Sequence, residues 1–279
     1  MKRYLQAGTV AFFLFAGIAL MRQPDAQTTS QKNAVGTYGE NSVLIADIAY
    51  PTDDETETED SAPQGITVSS ALVKTSLGNR VFYELNADQH WPLASLTKLM
   101  NAVVALENIP QDATRDDLIR RMMVISDNGA ADALAETLGT KNYIDLMNAK
   151  AQTLNMRQTG FSDASGLSYL NQSTVADIDK LVAYILIRHP EIFAFSKEKT
   201  IRIGAVERNN INEFAGRPDF LGGKTGFTDE ANGNLVTVFS TPSGPITIIT
   251  LGSPTREDRF IETNILFEWA TRHFKLYGY

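Results

Sequence analysis

The chain has 279 residues, 25 basic against 33 acidic side chains, and a formal charge of −8. It contains no cysteine, which excludes disulfides, thiolate metal sites and a cysteine nucleophile, and its three histidines are scattered. The acidic balance argues against a nucleic-acid partner, which calls for a basic field.

The charge is unevenly placed. Residues 1–21 carry Lys2 and Arg3 ahead of an uncharged run from Ala7 to Met21, the layout of an export signal. Leu5–Met21 is borderline in length for a membrane span, and no small-residue cleavage site is well placed behind it. We expect export with a retained N-terminal anchor, the remainder of the chain lying on the extracytoplasmic side of the membrane. Residues 22–64 hold nine acids, including the block Asp53–Asp60, and read as an extended, self-repelling linker. Val43–Tyr50 is apolar enough for a short strand or helix, and its type stays open. Residues 65–279 read as one folded domain.

Within that domain, Ser70–Thr75 and Arg80–Leu85 are strand-like runs flanking a turn at Ser76–Asn79. Ser95–Glu107 has its apolar residues at helical spacing, with Pro110 just past the end. Thr114–Val124, Gly129–Leu138, Tyr143–Leu154 and Thr174–Arg188 read as further helices. Asn234–Ser240 and Pro245–Leu251 are β-branched runs around the turn Thr241–Gly244, and Arg259–Phe274 closes the chain as an amphipathic helix. Strands, then helices, then strands and a helix predict an α+β fold with an antiparallel sheet.

Three short motifs carry chemistry. Ser95-Leu96-Thr97-Lys98 places an amine one helical turn from a hydroxyl. Serine needs a base to become a nucleophile, and lysine serves as one only when burial or a neighbouring cation lowers its pKa. From this motif alone, a nucleophile and a plain helix N-cap stand level. Ser196–Lys199 has the same form, but its charged surroundings suggest a solvated turn. Ser126-Asp127-Asn128 offers a hydroxyl and a carboxamide at a bend; taken alone, a cap and turn explains it as well. Lys224-Thr225-Gly226 follows two glycines, which let a strand approach a ligand closely. A phosphate loop is excluded there, because position 218 is Pro218.

All three motifs in this order form the signature of serine penicillin-recognising enzymes. The stretches 91–107, 122–136, 147–167 and 221–236 closely resemble the low-molecular-weight D-alanyl-D-alanine carboxypeptidases of peptidase family S11. The resemblance runs from about Ser70 to Phe274, with Asn210-Ile211-Asn212 and Arg259-Phe260 in corresponding places.

The resemblance implies the β-lactamase/DD-peptidase fold, with a helical subdomain beside the sheet. It implies Ser95 as nucleophile, Lys98 as general base and Ser126 as proton relay. Asn128, Lys224, Thr225, Gly226 and Phe227 would bind the substrate. Lys224 would keep the pKa of Lys98 low, Thr225 would take the terminal carboxylate, and the N–H groups of Ser95 and Phe227 would form the oxyanion hole. The implied partners are peptidoglycan stem peptides, with β-lactams as covalent inhibitors; no metal or cofactor is implied. Two features depart from the family. Residues 99–125 are shorter than the usual insert, and no counterpart of the C-terminal β-rich domain of some members is expected after the resemblance ends near Phe274.

Other readings weighed against this one are a DD-endopeptidase or transpeptidase, a class A β-lactamase and a non-catalytic peptidoglycan-binding relative. The β-lactamase reading is disfavoured because 155–168 contains no glutamate. A Ser-His-Asp hydrolase is disfavoured by the lack of G-x-S-x-G, leaving His90 as a surface or packing residue.

Overall fold

A computed structural model describes residues 62–276, apart from residue 79. The expected anchor and most of the linker, including Val43–Tyr50, lie outside the described residues.

Strands β1 (Ser70–Thr75) and β2 (Val81–Leu85) form the expected hairpin. A two-residue strand β3 (Trp91–Pro92) and a 3-10 turn at Ala94–Leu96 lead into α1 (Thr97–Asn108). Then come α2 (Ala113–Ile125), α3 (Asn128–Thr137) and α4 (Thr140–Thr153). A short β4 (Gln172–Ser173) pairs with β3, and α5 (Val175–Arg188) and α6 (Glu191–Ser196) follow. The hairpin β5 (Thr200–Ile203) and β6 (Val206–Asn209) precedes three long strands. These are β7 (Phe220–Thr228), β8 (Asn232–Thr241) and β9 (Gly244–Ser253), and α7 (Asp258–Leu276) ends the described chain.

The main sheet is antiparallel, with strand order β2-β1-β9-β8-β7. Both faces of its centre are buried, and period-two alternation sorts the side chains between two cores. Ala71, Val73, Leu235, Phe239, Ile246 and Ile248 pack toward α7 with Phe260, Leu266 and Trp269. Leu72, Val236, Val238, Ile249 and Leu251 pack toward the helices, where Leu99, Val103, Met122, Leu134 and Val182 complete the larger core. Burial on both faces is why these strands read as continuous apolar runs.

The expected α+β class and antiparallel sheet hold. Element ends differ by a few residues, chiefly where caps decide. The hydroxyl of Thr174 accepts from Asp177 N, so Thr174 caps α5 rather than beginning it. The β5–β6 hairpin and α6 were not anticipated, because four- to six-residue elements show too few periods to be recognised. The link between α1 and α2 is only Ile109–Asp112, with the Asp112 carboxylate capping α2 through Arg115 N. Residues 99–125 are therefore taken up almost entirely by α1 and α2, joined by this four-residue link.

Candidate active site

Ser95 belongs to the 3-10 turn, not to a regular helix. The preceding Ala94 has φ +46°, a left-handed conformation that costs a non-glycine residue free energy and bends the chain before α1. Its carbonyl packs against Gly166 so closely that a Cβ there would stand 1.9 Å from Ala94 O. Gly166 has φ +87°, so two constraints demand glycine at that position. On the other side, a Cβ on Gly226 would meet Leu93 O at 2.9 Å and Ser95 N at 3.3 Å. The turn that carries Ser95 is clamped between the 162–171 loop and β7.

Lys98 is fully buried. Its Nζ lies 3.0 Å from Ser95 Oγ and 2.7 Å from Asn128 Oδ1, and it also donates to Ser165 O. Burial lowers its pKa to about 8, against the pull of Asp163, Asp132 and Asp127 toward the charged form. The Ser95 hydroxyl caps neither the 3-10 turn nor α1. The N-cap alternative therefore falls away.

Ser126 and Asn128 sit at the junction of α2 and α3. Ser126 adopts a left-handed conformation, φ 57° and ψ 38°, ending α2. Asp127 takes the capping duty of α3, accepting from Ala130 N at 3.1 Å. Arg121 holds the other oxygen of Asp127 at 2.6 Å. With Asp127 as the cap, Ser126 and Asn128 are left to face the cleft.

Lys224 is 1% exposed. Its Nζ lies 2.9 Å from Ser126 Oγ and 2.8 Å from Thr225 O. Burial first, then the charges of Lys98 and Arg259, push its pKa well below the lysine range. Burial is the leading cause at both amines, and repulsion between the neighbouring cations Lys98 and Lys224, which is mutual, acts in the same direction.

Ser95, Ser126, Asn128, Thr225, Gly226 and Phe227 line one cleft of about 310 Å³, with Lys98 and Lys224 buried beneath it. Gly166, Leu167 and Ile211 form part of its rim, and Arg256 and Arg259 also line it. All eight residues named from the sequence thus converge. His90 is exposed and lies outside the cleft.

Several supporting residues, most of them in the stretches of resemblance, were given no role from the sequence. Asp163 accepts from Ser165 N, Gly166 N and Ser168 N, folding the loop that delivers Ser165 O to Lys98. Asn171 ties that loop to α1 through Thr97 Oγ1 at 3.0 Å. With both oxygens of Asp163 engaged, the loop offers no free carboxylate to activate a water. Asn234 bonds Pro92 O and Leu93 O with one end and Gly252 N with the other. Arg259 donates to Gly226 O at 2.9 Å. Asn210 donates to Ser196 O and Glu198 O and accepts from Asn212 N, shaping the bend that carries Ile211 to the cleft.

Ser196 overturns its sequence reading as part of a solvated turn. It is completely buried at the end of α6. Its Oγ donates to Phe193 O and accepts from Gly223 N at 2.9 Å, latching α6 to β7 next to Lys224.

The chain is similar to known D-alanyl-D-alanine peptidases. The chain is 29% identical over 243 residues to the D-alanyl-D-alanine endopeptidase of Pseudomonas aeruginosa, covering 74% of this chain and 78% of that protein. It is 27% identical to the D-alanyl-D-alanine carboxypeptidase DacA of Haemophilus influenzae, covering 77% of this chain but only 64% of that relative's length. Penicillin-binding protein D2 of Listeria monocytogenes, solved in its cefotaxime-bound form, superposes with a TM-score of 0.69 at 27% identity, covering 75% of this chain and 99% of that one. The D-alanyl-D-alanine carboxypeptidase family, peptidase S11, matches residues 108–255. That span is more than half of the sequence, and the chain belongs to this family.

Proposed function

We propose that the protein is an exported serine DD-peptidase that removes the terminal D-alanine of peptidoglycan stem peptides through an acyl-enzyme on Ser95. The observation that carries this reading is the pair of buried amines, each within hydrogen-bond reach of a serine hydroxyl in one cleft: Lys98 on Ser95 and Lys224 on Ser126.

In this mechanism Ser95 Oγ attacks the carbonyl carbon between the two D-alanines, and its proton passes to neutral Lys98. The N–H groups of Ser95 and Phe227 stabilise the resulting oxyanion. Asn128 uses its carboxamide oxygen on Lys98, so its NH2 is the end left to hold the peptide. Thr225 binds the terminal carboxylate. The C–N bond then breaks as Ser126, held by Lys224, passes its proton to the departing amine and is reprotonated from Lys98. Neutral Lys98 next takes a proton from the water that attacks the ester carbonyl, and passes it to Ser95 Oγ as the ester C–O bond breaks, leaving the carboxylic acid product. A β-lactam carbonyl enters the same path and leaves an adduct on Ser95.

The decisive experiment is reaction with a fluorescent penicillin, followed by intact-mass measurement on the wild type and Ser95→Ala. One adduct on the wild type and none on the variant is expected. No adduct on folded wild type rejects the enzyme reading.

A second reading, cleavage of cross-linked peptides, has its own support. Three of the matched relatives are named endopeptidases and are covered over 71–78% of their lengths, more than the 64% for DacA. Incubation with a purified pentapeptide and with a cross-linked dimer separates the two by the product released.

Localisation is part of the proposal. Residues 1–21 anchor the chain, and the acidic 22–64 segment spaces the catalytic domain from the membrane. Full-length protein in the membrane fraction is the expected result; a shortened soluble form would indicate signal cleavage.

A further inference from the structure

Beyond Thr225, the cleft carries a charge that the mechanism above does not use. The guanidinium of Arg256 lies over the ring of Phe227, 4.0 Å from its centroid, and both residues line the cleft. Arg256 is exposed and forms no ion pair among the described residues. Its neighbour Arg259 is different. That side chain is 6% exposed and bonded to Gly226 O, and its Nε has no partner. Burial and the charge of Arg256 lower its pKa to about 10. Glu213 and Glu257 act on Arg259 in the opposite sense, but neither lines the cleft; among the residues that do, the two guanidiniums are the charged groups, and they favour an anion at that end.

The strand sets the spacing. Thr225 and Phe227 are two residues apart on β7, so their side chains stand on the same side, roughly 7 Å apart. The terminal carboxylate assigned to Thr225 therefore cannot also fill the place above Phe227. An anion there must come from another part of the same peptide. The flat, weakly hydrated guanidinium is held by the ring in a fixed plane, which suits a second carboxylate.

We propose that Arg256, parked on Phe227, is a specificity-determining residue that binds a side-chain carboxylate of the stem peptide, so that the preferred substrate carries a diamino-dicarboxylic acid rather than a plain diamine such as lysine at its third residue. This rests on the DD-peptidase reading and names its substrate more narrowly. The carboxylate exchanges part of its hydration for a charge-assisted hydrogen bond at the cleft edge, far from the bond being broken. It acts on binding and leaves the chemical step alone.

The test compares three pentapeptides that differ only at the third residue: a diamino-dicarboxylic acid, the same residue with its side-chain carboxylate amidated, and lysine. Wild type should favour the first by about tenfold in kcat/KM, through KM. Arg256→Ala should remove the preference while leaving turnover of the amidated peptide unchanged, and Arg256→Lys should restore part of it. Fluorescent penicillin should label wild type and both variants equally at Ser95. Equal use of all three peptides by the wild type overturns the proposal. So does an Arg256→Ala variant that loses activity equally on all three. Failure of the wild type to be labelled would instead remove the DD-peptidase reading, and this proposal with it.

Discussion

Lys224 and Ser126 are 98 residues apart in the chain, yet Nζ and Oγ meet at 2.9 Å. The contact joins the edge strand β7 to the bend between α2 and α3. It also buries an amine beside a second one, Lys98, which helps to depress its pKa. Replacing Lys224 by alanine should slow acylation by penicillin on the order of a hundredfold, the scale of a lost proton-transfer group. Ser126→Ala should fall in the same range. The double variant should be little worse than either single one, because the two act as a unit. Stopped-flow acylation rates measure all three, and additive losses would separate the residues.

The pKa of Lys98 sets the pH dependence. Burial brings it from the usual 10.5 to about 8, so the neutral amine that accepts the serine proton gains population through that pH. At pH 7 roughly a tenth of it is neutral. Acylation should climb by about an order of magnitude from pH 6 to 7, and flatten above pH 8 to 9. Lys98→Arg keeps the positive charge but cannot lose its proton in this range, and should show no acylation at any pH tested. The stability sign follows from the same shift. Between about 8 and 10.5 the unfolded chain holds this proton more tightly, so the Lys98 contribution to stability grows as pH rises. A pH-flat acylation rate would argue against Lys98 as the base.

Gly166 tests the clamp on the nucleophile. An added Cβ would lie 1.9 Å from Ala94 O, and φ +87° disfavours any L side chain. Backbone must shift on one side or the other. Gly166→Ala should cost about 2–4 kcal/mol in stability. Its effect on acylation should exceed its effect on stability, since displacing Ala94 moves Ser95 and its amide together. Thermal melting and penicillin acylation on the same preparation compare the two effects. Unchanged acylation in a folded variant would show that the loop does not position Ser95.

Ser196 tests a contact with no chemistry of its own. Ser196→Ala leaves the buried amide of Gly223 without its partner, at a cost of about 2 kcal/mol. For a domain of this size that corresponds to a melting-point drop of roughly 4–8 °C. Because β7 carries Lys224 in the next position, acylation should also slow, but only a few-fold.

Much of this protein was readable before any coordinates. Apolar spacing located α1 through α5 and α7, and the β-branched runs located β8 and β9, because burial on one face or two writes a period into the sequence. Motif order, with the resemblance built on it, then named eight residues that the fold brings to one cleft. Local signals could not separate two serines with the same S-x-x-K form. Ser95 and Ser196 are both followed by a lysine at the same spacing, but one opens onto the cleft while the other is a buried latch. That distinction depends on which strand passes beside each, and β7 passes both.

Electrostatics were settled at the same level. The formal charge of −8 belongs largely to the acidic 22–64 segment and says little about the site. The sequence by itself determined which groups could react: a hydroxyl, two amines, a carboxamide and a glycine-flanked strand. Only the tertiary structure decided that both amines are buried and that burial, more than mutual repulsion, lowers the pKa of Lys98. It also set the left-handed backbone at Ala94 and Ser126 that aims the two hydroxyls into one cleft. Desolvation and backbone strain are imposed by residues distant in the chain, Gly166 and Asp163 among them, and a local stretch of sequence carries no record of such neighbours.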